Sequence, residues 1–295
     1  MIMKLTEMQI CANETLTYFM QTMPNVPFTK NDIIFAYVKK SEMAKRAKEL
    51  CIQCCPDKIL NDSQCQQLNQ SIAANALIGK EKSAVLIRVN STLGRKDFRR
   101  IIFHELMHIF CAKLEMDTEH FIDVYGSGTT PDCDPEDELY DGLIVSGYKV
   151  WNEFIAQYYA IKMIDCRKYE YSEVAEYISY LLQEVSGSDI EGSKGAFSMI
   201  CAYWFNCTDL EETLNSIDKP DTFVSNEEIY QVEVRRTLSK CMYYIYDQMQ
   251  TEMPWKISES FIYELGDKFN AFRTMNSLYL SQMTDAVHHD FSDFD

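Results

Sequence analysis

The 295-residue sequence contains no apolar run long enough to cross a bilayer as a helix, which excludes a helical membrane anchor. It has no internal repeat and no low-complexity linker, so a repeat array and a largely disordered chain are both excluded. The opening stretch MIMKLTEMQICANE places Glu7, Gln9, Asn13 and Glu14 where a signal peptide needs its apolar core, so a cytoplasmic protein is expected. Basic charge is scarce too: 28 Lys and Arg stand against 45 Asp and Glu, a net charge of −17. The balance is uneven, +7 over residues 30–100 and −24 over the remainder. The chain as a whole repels a polyanion, so nucleic acid is not an expected partner. Residues 41–50, SEMAKRAKEL, form a basic stretch but no recognition helix.

Eleven cysteines, an odd number without an export signal, read as reduced thiols. Cys51, Cys54 and Cys55 form a CxxCC cluster. No second CxxC or nearby histidine completes a four-ligand set, so ordinary thiols are expected there.

The chain is 46% hydrophobic and 25% charged, as an ordinary globular protein is. Residues 1–23 have helical spacing, ended by Pro24 and Pro27. Residues 31–38 (NDIIFAYV) and 83–89 (SAVLIRV) read as strands, and 41–54 as a helix. From Arg95 to Glu115 there is no Gly or Pro, and Phe98, Ile101, Ile102, Leu106, Ile109 and Phe110 recur at helical intervals. Residues 117–142 read as loop from Gly126, Gly128, Pro131, Pro135 and Gly142. Residues 148–165 return to helical spacing. The rest reads as mostly helical, with breaks near Gly187, Gly192, Gly195, Pro220 and Pro254. The expected fold class is α+β: a mixed part over 1–80, a core over 81–165 with a small sheet, and an α-rich part over 166–295.

Histidine is rare, five in all, yet two sit four apart in IIFHELMHIF, residues 101–110. On a helix His104 and His108 share a face and can reach one metal ion. Glu105 is rotated by about 100° from His104, beside the metal rather than on it. There it can accept a proton from a water that the metal activates. Chance yields an HExxH in roughly one shuffled sequence of this composition in two hundred, so the match carries weight. Two imidazoles in an apolar helix also need polar partners, and a shared metal supplies them. His104 and His108 are therefore expected metal ligands, Zn2+ the expected cofactor, and Glu105 the expected general base.

A catalytic zinc takes a third protein ligand. The spacing HExxHxxGxxH is excluded, because Cys111 and Leu114 stand at its last two positions. Two carboxylates remain. Asp132 lies in GTTPD, residues 128–132; Glu153 lies in WNEFIA, 45 residues beyond His108. Glu153 is favoured, since Ala156 and Ala160 give its helix a small-residue face for close approach. HELMH followed by WNEFIA resembles the gluzincin group of zinc metallopeptidases, and the ImmA/IrrE-like peptidases within it, although Met107 stands where those usually carry glycine. The resemblance spans roughly residues 80–165. It implies a zincin-like core, zinc held by His104, His108 and Glu153, and Glu105 as general base. It also implies that SAVLIRV forms a sheet edge where an extended peptide substrate pairs.

His120, Tyr148, His288 and His289 are the candidates for stabilising a developing oxyanion. Asn152 and Gln157 flank Glu153 as candidates to orient the ligands. Residues 115–141 hold ten acidic side chains and no Lys or Arg, which suits a peptide or protein substrate with basic segments. Asp132, Asp134 and Asp137 lack the glycine and terminal glutamate of an EF-hand loop. The expected function is zinc-dependent peptide hydrolysis in a soluble protein without a membrane partner. The alternative from another class is a non-catalytic zinc protein with a binding or regulatory role.

Overall fold

The helical spacing of the N-terminal residues is realised as α1, Leu5–Thr22, in the computed structural model, which describes residues 3–54, 73–89, 93–114, 135–187, 190–208 and 226–292. Among the described residues follow β1 (Ile33–Val38), α2 (Met43–Cys54), β2 (Ala74–Leu77), β3 (Ser83–Arg88) and α3 (Arg95–Lys113). The later helices are α4 (Pro135–Asp165), α5 (Tyr171–Gly187), α6 (Ile190–Phe205), α7 (Asn226–Met249) and α8 (Glu259–Ser292). The protein is thus mixed α+β and rich in helix, with one small sheet.

The chain groups into two compact units, one of residues 1–116 with 159–166 and one of 117–158 with 167–295. The sequence-based division differs near residue 80, where strands of one sheet lie on both sides.

The first unit is built on a sheet of order β1-β3-β2. β1 and β3 are parallel, pairing Ile33 with Ser83 through Val38 with Arg88. β2 is antiparallel to β3, from Ala74 opposite Ile87 to Leu77 opposite Ala84. Alternation along β3 sends Ala84 and Leu86 to one face, where they meet Met43, Ala47, Leu50 and Cys54 of α2. Val85 and Ile87 point to the other face and are equally buried. There α3 contacts β3 and β2, and α1 contacts β1. A strand covered on both faces reads as an unbroken apolar run, which is what SAVLIRV is.

This arrangement corrects one expectation. β3 is the central strand, bonded on both sides, so it offers no edge to an extended peptide. The missing neighbour was β2, whose sequence ANAL has little intrinsic strand preference and is held by pairing with β3.

α3 packs on α1 through aromatic rings. Phe19 lies 4.8 Å from the ring centre of Phe103 and 5.9 Å from that of Phe110. Phe103 and Phe110 are seven residues apart, two turns on one face. Asp97 in the first turn and Lys113 in the last suit the helix dipole.

A second correction concerns 117–142. Residues 115–134, with Asp132 and His120, lie outside the described residues, but helix α4 already begins at Pro135. Proline is favoured at a first helical position, because its missing N–H would have no partner there. Glu136, Asp137 and Glu138 follow in the first turn, where acidic residues are favoured. Likewise Gly192 and Gly195 sit inside α6 rather than breaking it.

The second unit is helical: α7 packs along α8, and α5 against α6 and α8. Gly147 of α4 and Gly266 of α8 allow two backbones to touch. A Cβ at Gly147 would stand 1.9 Å from the Ile262 carbonyl oxygen, and one at Gly266 2.0 Å from that of Leu143. The obstacles are backbone atoms, which cannot step aside as a side-chain tip can. Gly147→Ala and Gly266→Ala are each expected to destabilise the protein by at least about 1–3 kcal/mol. Urea unfolding measures this; midpoints equal to wild type would contradict the close crossing.

Candidate metal centre

His104 and His108 are neighbours on α3 for the reason that the sequence gives: four residues of helix return the chain to the same side. Their rings meet edge to face, with centres 4.5 Å apart and planes at 89°. His108 Nε2 lies 2.9 Å from His104 Nε2, and both rings are partly buried. At that separation the two nitrogens accommodate one proton or one shared cation between them, not a proton each. Two imidazole nitrogens on one tetrahedral zinc stand roughly 3.3 Å apart, given Zn–N bonds of ~2.0–2.1 Å. The observed 2.9 Å is a hydrogen-bond separation, and the pair would open by roughly 0.4 Å to hold one such ion.

Ligand atoms of His104, His108 and Glu153 all lie within 4.8 Å of one another. Glu153 is carried on α4, an unbroken helix whose last residues, from Tyr159 onward, belong to the first unit. Its side chain is half-buried, while Trp151, Phe154 and Ile155 around it are fully buried. Ala156 and Ala160 are buried as well.

Burial pushes the pKa of His104 well below the usual imidazole value, and His108 and Arg100 add to the effect. His104 is thus neutral at pH 7, the form in which imidazole binds a metal. Arg100 stands one turn before His104 on α3. Its guanidinium lies 4.0 Å from the carboxylate of Asp165, which is fully buried and also 2.9 Å from Lys96 Nζ. Asp165 ends α4, so this network ties the start of α3 to the end of the Glu153 helix. Tyr18 adds a third strand to the tie: its hydroxyl donates to the Met163 carbonyl (3.0 Å), and Arg99 lies over its ring. None of Asp165, Lys96 or Arg100 was singled out by sequence reasoning; only the folded chain brings 96, 100 and 165 together.

Glu105 is buried, with 7% of its surface exposed, and is not part of the ligand group. Cys111, one turn beyond His108, is buried and its thiol is pushed up to about 12, so it remains protonated and a poor ligand. Cys51 and Cys54 are buried free thiols on α2.

Tyr148 is five residues before Glu153, some 140° around α4, and so does not share its face. Gln157, one turn after Glu153, does share that face, whereas Asn152 is about 100° away. His288 and His289 lie on α8, but their side chains fall outside the described residues, as do those of Asp134 and Asp137.

A donor set of two imidazoles and a carboxylate could hold a metal ion, and its chemistry suits zinc with a fourth position left open. Zinc is expected to titrate the metal-free protein at one equivalent. His104→Ala or His108→Ala should weaken binding by more than about 100-fold, beyond the 10–100-fold typical of losing an outer partner. Wild-type affinity in either variant would remove these residues from the centre. Comparison of the chain with protein-family models, with curated proteins and with solved structures found no match in any of the three.

Proposed function

We propose that the protein is a zinc-dependent peptidase of the gluzincin kind, hydrolysing peptide bonds with Glu105 as general base. The observation that carries this reading is the His104–His108 pair, 2.9 Å apart on an apolar helix, with the Glu153 carboxylate in reach; Glu105 follows His104 in the sequence. His104, His108 and Glu153 would hold the ion. When bound, zinc lowers the pKa of water to about 7 and polarises a carbonyl.

The remaining work falls to the chain. Glu105 follows His104 directly, so its carboxylate is turned away from the ligand face by about 100°. It accepts the proton of the attacking water and passes it to the departing amine, so the two half-steps share one group. Its burial keeps bulk solvent from exchanging that proton in between. His104, neutral at pH 7, needs no deprotonation before binding. The apolar packing of α3 on α1 fixes both histidines, and the Asp165 network fixes the end of the helix that carries Glu153.

A non-catalytic zinc protein would use the same three ligands and has no need of a general base next to the first histidine. No helix among the described residues is long and apolar enough to cross a membrane, and a water-accessible peptide substrate agrees with that.

Glu105→Gln separates the two readings. The variant is expected to bind zinc as the wild type does, and to lose about 10²–10⁴-fold in the rate of cleaving a denatured protein substrate. Equal cleavage by both proteins would exclude Glu105 as the base. Zinc binding by both without cleavage by either would favour the non-catalytic reading.

A further inference from the structure

Helix α7 carries Arg236, Lys240, Tyr243 and Asp247 at intervals of four, three and four residues, a spacing that lays them along one side. With Lys268 of α8 they line an open groove of about 520 Å³. That volume falls within the range of small-molecule sites. Two features mark it out.

The first is charge. Residues 226–292 hold six Lys and Arg against ten Asp and Glu. Three of the six cations line the groove, but only one of the ten acids, Asp247, does. Three cations thus line this concavity, and two of them, Arg236 and Lys268, are paired at its margin with Glu233 and Glu264. The second is preorganisation. Tyr244, in the groove wall, stacks on Phe261 with ring centres 5.0 Å apart and planes 10° from parallel. Lys268 Nζ stands 4.8 Å over the Tyr244 ring and 2.8 Å from Glu264 Oε2. Ring and carboxylate together hold that ammonium in place. Arg236 has a similar tether, 2.5 Å from Glu233, one turn back on α7. Both pairs are solvent-accessible, so each is weak and can open toward a stronger acceptor.

We propose that this groove binds a small organic anion, a phosphate or carboxylate carried on a planar ring. Arg236, Lys240 and Lys268 take the charge. Tyr243 forms the aromatic wall for the ring, since Phe261 and Lys268 take the faces of Tyr244. Asp247 makes one end negative, so the ligand lies with its charged group toward the cations. The groove uses none of the residues of the metal centre, and its ligand is recognised whether or not that centre is catalytic.

The test titrates the metal-free full-length protein with phenyl phosphate, benzoate and phenol at constant ionic strength, by calorimetry. Saturable binding of phenyl phosphate or benzoate, but not of phenol, is expected; the stronger of the two anions identifies the head group. Lys240→Glu and Arg236→Glu should each weaken that binding by about tenfold or more. Lys45→Glu, on the exposed face of α2, should leave it unchanged. Lys240→Gln, which removes the charge without reversing it, should fall between wild type and Lys240→Glu. Circular dichroism verifies that each variant is folded. Absence of saturable binding by both anions overturns the proposal, and so does binding that the groove variants leave unaltered.

Discussion

Two imidazoles on one turn of an apolar helix are the constraint around which the first unit is organised. Helix α3 holds two partly buried imidazoles side by side, and at 2.9 Å a single proton can lie between their Nε2 atoms. Burial has already made His104 a weak base. A cation that accepts a lone pair from each Nε2, with a carboxylate to offset its charge, suits this arrangement.

What surrounds the pair explains how it is held. Phe19, Phe103 and Phe110 are fully buried, each contributing about 1.5–3 kcal/mol from burial, with about 0.5–1.5 kcal/mol more for each well-oriented ring pair. This packing fixes the helix on which the histidines stand. Asp165 works differently. The Asp165 side chain is out of water and is held by Lys96, itself more than half exposed, and by Arg100 at 4.0 Å. It couples the start of α3 to the end of α4.

Much of this was legible in the sequence wherever the signal is local. HELMH can be read because helix periodicity alone brings residues 104 and 108 together. β1 and β3 can be read because each is a short apolar run with β-branched residues, and α2 because it is rich in Ala, Lys and Glu. β2 could not, since Ala74–Leu77 becomes a strand only by pairing with β3. The start of α4 was masked by a proline that punctuates a loop and opens a helix equally well. Glu153 could be named only from the small-residue face of its helix and from resemblance, because no local rule connects it to His108 across 45 residues. Asp165 and Lys268 carried no signal, as their partners lie far away in sequence or on another helix. Interactions between distant elements are what composition and period leave out.

The central claim is that His104, His108 and Glu153 hold one zinc ion. X-ray absorption at the zinc edge of the zinc-loaded protein tests it most directly. The account predicts two imidazole nitrogens at ~2.0–2.1 Å, light oxygen donors completing the shell, and no sulfur. A sulfur shell at ~2.3 Å would assign the metal to the cysteines instead, and a shell without imidazole scattering would contradict the centre altogether.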